Sequence, residues 1–92
     1  PTVYRDLAIV LDKSIAYNEV EKVTTKLNIP FLQTYGLFDI FESEKIGADK
    51  KSLALNYSFQ LEDRTLTDVE VDKVMQQLIE AYKKQLNAQI RE

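Results

Sequence analysis

Strict alternation of apolar and polar residues is clearest where Leu53, Leu55, Tyr57, Phe59 and Leu61 interleave with Ser52, Ala54, Asn56, Ser58 and Gln60. A period of two over that length predicts a strand with one buried and one wet face. The first apolar stretch, Val3 to Leu11, repeats the pattern, with Val3, Arg5, Leu7, Ile9 and Leu11 on one side and Tyr4, Asp6, Ala8 and Val10 on the other. Phe31 to Phe41 is aromatic, β-branched or apolar throughout, the composition of a further strand. Its parities separate Leu32, Thr34, Gly36, Phe38 and Ile40 from Gln33, Tyr35, Leu37, Asp39 and Phe41, and Gly36 predicts a bulge.

Helical spacing takes over elsewhere. Asn18 followed by Glu21 has the form of a capping box, and Val20, Val23 and Leu27 then fall on one stripe, predicting a short helix that ends near Asn28 and Pro30. Thr67-Asp68-Val69-Glu70 is a second capping box, followed by Val71, Val74, Met75, Leu78, Ile79, Tyr82 and Leu86 on one face. Acids in its first turn (Asp68, Glu70, Asp72) and Lys83 and Lys84 in its last complement the helix dipole. Glu42 to Lys50 reads as a charged turn around Gly47, and Ala88 to Arg91 as a closing strand with Ile90 turned inward.

Strand, helix, strand, strand, helix, strand is the split ferredoxin-like order, an α+β sandwich of βαββαβ type with both helices on one face of a four-stranded antiparallel sheet. The covered face is expected to hold Leu7, Ile9, Phe38, Ile40, Leu53, Leu55, Tyr57 and Phe59. The open face would then carry Asp6, Ala8, Leu37, Asp39, Phe41, Ser52, Ala54, Asn56 and Ser58. Tyr57 and Phe59 share a parity with Leu53 and Leu55, so they read as core and not as base-stacking aromatics.

Composition narrows the chemistry. Ninety-two residues with 45% hydrophobic content, two Gly and two Pro describe one ordered domain over residues 1–92. The absence of Cys and His removes disulfides, thiolate nucleophiles, most zinc sites and the usual neutral-pH general base. Glu62 and Asp63, with the helix-start acids, lack the spacing of a calcium loop, so no metal site is expected. Arg64 is placed to tie the preceding loop to the helix start. A net charge of −3 and a pI near 5.0 argue against gripping phosphates by charge, and less strongly against reading bases with a carboxylate. No apolar run approaches the roughly 20 residues that span a bilayer. Opening at Pro1 without Met, the chain reads as a segment of a longer protein.

Three stretches carry a family resemblance: RDLA (Arg5 to Ala8), LFDIF (Leu37 to Phe41) and KSLALNYSFQLEDRTLTDVEV (Lys51 to Val71), with Ile90-Arg91 also fitting at the end. In this order and at these separations they resemble the ferredoxin-fold anticodon-binding domain that ends the bacterial-type phenylalanyl-tRNA synthetase β subunit. The resemblance implies a tRNA-binding module with no catalytic centre and no cofactor of its own, cytoplasmic, with phenylalanine tRNA as its partner and neither DNA nor a membrane. It also implies a parent enzyme, a class II aminoacyl-tRNA synthetase of expected α2β2 assembly, whose α subunit carries out aminoacylation with ATP and Mg²⁺.

Carried over position by position, the resemblance assigns tRNA contact to Ala8, Asp39, Phe41 and Ser52, all on the expected open parity. Guanine, the first base of phenylalanine anticodons, offers two adjacent N–H donors that the two oxygens of an ionised Asp39 can accept. Phe41 offers a ring for stacking; many relatives carry Tyr there, and Phe loses that hydroxyl. Ser52 can bond a base or ribose edge, and Ala8 is small enough to let a base approach. Arg5, Lys50 and Lys51 are candidates for phosphate contacts.

Two other classes use the same fold: a regulatory or protein-interaction domain, and a small enzyme of the acylphosphatase type. The first predicts edge-to-edge dimers without an RNA effect. The second wants an anion-cradling loop after the first strand, where Asp12 to Tyr17 has no Gly and opens with an acid.

Overall fold

A computed structural model describes residues 1–91. The elements are β1 (Val3–Asp12), α1 (Tyr17–Lys26), β2 (Leu32–Phe41), β3 (Lys50–Phe59), α2 (Asp68–Leu86) and β4 (Gln89–Ile90), and the sheet has four strands in the order β2-β3-β1-β4. Every pairing is antiparallel. The expected βαββαβ order therefore stands.

β1 and β3 form the uninterrupted centre, in register from Val3 opposite Phe59 to Asp12 opposite Lys50. One parity of this pair, with the inner stripes of both helices, makes the core: Ile9, Leu11, Leu53, Leu55, Tyr57 and Phe59 pack with Val20, Val23, Val71, Val74, Met75, Leu78, Ala81 and Tyr82. Three hydroxyls sit inside it. The Tyr82 hydroxyl lies 2.7 Å from both Thr24 Oγ1 and the Tyr57 hydroxyl, and Thr24 donates to the Val20 carbonyl at 2.8 Å. Burial raises the pKa of Tyr57 and of Tyr82 above the ordinary phenol value, so both stay protonated donors.

α2 begins as its sequence predicts. The Thr67 side chain accepts from the Glu70 N–H while the Glu70 carboxylate accepts from the Thr67 N–H. Arg64 adds a two-pronged contact to that carboxylate at 2.6 and 2.7 Å, and this ion pair, with the backbone bond, lowers the Glu70 pKa from 4.5 to about 2. Asn87 closes the helix in the left-handed conformation (φ 54°), and the chain enters β4 two residues later.

α1 departs from expectation. It starts at Tyr17 with Ala16 at the N-cap and no side-chain cap, so Asn18 and Glu21 lie inside the helix. Its start is set by packing: Tyr17, Val20, Val23 and Leu27 all join the core or lean on it.

β2 departs more. Gly36 pairs regularly with Asn56, and the register slips instead between Leu32 and Thr34 and between Leu37 and Asp39. Two steps along β2 then match one along β3, which turns Leu37 to face Leu55 and Asp39 to face Ala54. Leu37, expected on the open face, therefore packs against the core. Phe38, expected in the core, is the extra residue and stays 56% exposed; Ile40 lies opposite Leu53 but is 54% exposed, so the helices leave this corner of β2 uncovered.

Candidate nucleic-acid interface

The sheet face away from the helices is built from rows that cross the strands. In the first row Phe41 on β2 faces Ser52 on β3, which faces Val10 on β1, which faces Gln89 on β4. One pleat on, roughly 7 Å along the strands, Asp39 faces Ala54, which faces Ala8. Ala8, Asp39, Phe41 and Ser52 thus lie in two adjacent rows of one face. Leu53 and Leu55, of the opposite parity on β3, are buried beneath the helices.

The row of alanines has a consequence for the chain end. The Arg91 N–H donates to the Ala8 carbonyl at 2.9 Å, and from there the guanidinium reaches across the sheet. It lies 4.6 Å from the centroid of the Phe41 ring and donates to Ser52 Oγ at 3.3 Å. Phe41 and Ser52 are on the far side of β1 from β4, so the arginine must pass over the low floor that Ala8 and Ala54 provide. Larger side chains there would block it. Ser52 faces the open side yet is only 2% exposed, because Arg91, Phe41 and Val10 close around it.

In the sequence Arg91 stands out only through the terminal Ile90-Arg91 match. The available signal was its parity: two residues beyond Gln89, it shares the face of Val10 and Ala8. What the sequence could not give is the reach of the side chain over β1 to β3. A cation on an aromatic face at an exposed site contributes about 0.5–1 kcal/mol, enough to hold Arg91 in place and weak enough to be exchanged.

Asp39 is exposed, and none of the ion pairs among the described residues uses it. Both of its oxygens are open to donors from solution. The three candidates for phosphate contact are divided. Arg5 lies on the helix side, opposite Tyr57, where it donates to Asp68 at 3.4 Å and to the Tyr4 carbonyl at 2.9 Å. Lys51 pairs with Leu11 and shares the buried parity. Lys50 is on the open parity, at the edge of the site, and contacts Asp12 at 3.6 Å.

No group of acids among the described residues is arranged to hold a metal ion, and no helix is long and apolar enough to cross a membrane. A cavity of about 410 Å³ lies between the end of α1 and α2, lined by Leu27, Ile29, Phe31 and Val74 among others. It shares no residue with the open face.

The model of the ferredoxin-fold anticodon-binding domain family matches residues 1–91. A phenylalanine–tRNA ligase beta subunit of Bacteroides thetaiotaomicron is 40% identical over 91 residues, and that of Corynebacterium glutamicum is 37% identical over 91. A third, from Fusobacterium nucleatum, is 36% identical over 91 residues. Each alignment covers 99% of this chain and 11% of the relative, so the chain spans about a tenth of the length of the proteins it matches. With the sheet, its open face and these matches in agreement, the chain belongs to the ferredoxin-fold anticodon-binding domain family.

Proposed function

We propose that this domain seats the first anticodon base of phenylalanine tRNA on its open sheet face, as part of a cytoplasmic phenylalanine–tRNA ligase beta subunit working with an α subunit. The α subunit carries the aminoacylation chemistry, with ATP and Mg²⁺. The observation that carries the reading is the clustering of an unpaired carboxylate, an exposed ring and a hydroxyl in two rows over an alanine floor. Guanine fits that set. Its ring N–H and amino group present two parallel donors to Asp39, its face lies on Phe41, and its remaining edge reaches Ser52.

Arg91 rests where the base would lie, and it leaves the Phe41 ring to lie over the incoming base or turn to a phosphate. The guanidinium plane suits either role. With a net charge of −3, affinity in this domain comes from base contacts more than from neutralised phosphates.

The test is Asp39→Ala in the intact ligase. KM for phenylalanine tRNA should rise roughly five- to a hundred-fold, the range of one two-pronged base contact, while adenylate formation is unchanged. Replacing the first anticodon guanine by inosine, which lacks the amino donor, should weaken the parent enzyme and have little further effect on the variant. An unchanged tRNA KM would refute the role of Asp39.

A further inference from the structure

The open face continues well past Asp39 and Phe41. Beyond the alanine row come Gly36, Asn56 and Asp6, then Thr34, Ser58 and Tyr4, each set in register across β2, β3 and β1. Tyr4 is 72% exposed, on a strand whose other exposed residues, Asp6 and Asp12, are both acids. β4 pairs only with Ile9 and Val10, so the β1 edge beside Tyr4 is open as well. Beneath the ring the floor is small and already satisfied: the Thr34 and Ser58 hydroxyls bond each other at 2.6 Å, and Ser58 Oγ also accepts from the Thr34 N–H.

The row between the two aromatics is suited to base edges. Asn56 is exposed and carries both a donor and an acceptor. A Cβ at position 36 would come within 3.1 Å of its Oδ1, so glycine leaves the amide room beside β2. The stretch from Tyr4 to Phe41 is therefore a low track with a ring at each end and hydrogen-bonding groups between. Six steps along β1 lead from Tyr4 to Val10, the β1 member of the Phe41 row, which sets the rings about 20 Å apart. Stacked nucleotides are spaced by roughly 3.4 Å, so one base cannot serve both rings.

We infer that Tyr4 is a second stacking platform, seating another unpaired nucleotide of the same anticodon loop while Asn56 contacts a base edge between the two rings. Single-stranded RNA is the occupant that fits. The surface offers aromatic faces and amide edges, and its acids, Asp6 and Asp39, leave recognition to the bases and turn phosphates outward. A face that cannot attract phosphates strongly gains most from each added stacking contact. The inference rests on the anticodon reading proposed above and extends it from one base to a run of bases.

The experiment uses the intact ligase and phenylalanine tRNA carrying 2-aminopurine at single positions of the anticodon loop, with Tyr4→Ala, Tyr4→Phe and Phe41→Ala compared. Tyr4→Ala should weaken tRNA binding roughly five- to a hundred-fold and remove the stacking quench at a position other than the first anticodon base. Tyr4→Phe should retain both, and adenylate formation should be unaffected in both Tyr4 variants. If Tyr4→Ala binds and quenches like the parent while Phe41→Ala does not, the second platform is overturned and the anticodon reading survives. If neither alanine variant weakens binding, the reading falls and this inference falls with it.

Discussion

The two faces of β3 are made by alternate residues of one ten-residue strand, and they could hardly differ more. Leu53, Leu55, Tyr57 and Phe59 are all at or below 3% exposure and fix the fold, while Ser52, Ala54, Asn56 and Ser58 contribute short side chains to the face away from the helices. The lesson is a division of labour by parity. On the function proposed above, change on one side is felt as stability and change on the other as recognition.

The largest effect should come from breaking the covered side. Leu55→Ala removes a buried side chain between sheet and helices, and should lower the free energy of unfolding by about 2–5 kcal/mol in denaturant titrations. Asp39→Ala, one row away on the other face, should stay within about 0.5 kcal/mol of the parent in the same assay. Equal losses would dissolve the comparison.

A smaller effect sharpens it. Inside the core the hydroxyls of Thr24, Tyr57 and Tyr82 form one bonded set. Tyr82→Phe keeps the packing and breaks two of those contacts, so it should cost about 1–3 kcal/mol, visible as a lowered Tm.

Smaller again is the helix start at the rim. Thr67→Ala removes the cap for about 1 kcal/mol. The Glu70 carboxyl has its folded pKa lowered from 4.5 to about 2, so its contribution is present above pH 4.5 and is lost as pH falls through that window. Stability measured from pH 6 down to 2 should show this acid loss in the parent and less of it in Glu70→Gln.

Much of this was legible in the order of residues. The period-two runs gave β1 and β3 with the correct faces, because both strands pair without interruption and alternation survives intact. Thr67 and Glu70 marked α2 because a capping box is a local device, complete within four residues. Asn18 and Glu21 misled for the complementary reason: the pattern is local, but tertiary packing of Tyr17 decided where α1 begins. In β2 the slips of register broke the parity rule, so Leu37 and Phe38 were misplaced while Asp39 and Phe41 were not; Ile40 keeps its parity opposite Leu53 and is exposed because the helices stop short of it.

The site was legible as types of residue and less so as an arrangement. Ala8, Asp39, Phe41 and Ser52 came from the resemblance, and their shared face from parity. Arg91 did not emerge, because its position depends on the turn at Asn87 and on a side chain that passes over β1 to reach β3. Arg5 and Lys51 are basic residues near the motif in sequence that alternation sends to the other side.

Phe38 is a residue that the hydrogen-bonded ladder does not count. If it were excised, Leu37 would still meet Leu55 and Asp39 would still meet Ala54, now as consecutive steps of an unbroken strand. Its contribution is therefore one of curvature: the added residue coils the outer strand, tilting the carboxylate and ring that follow it relative to the flat centre of the sheet. A one-residue shortening at this point should preserve which groups are presented while altering the angle at which they are held.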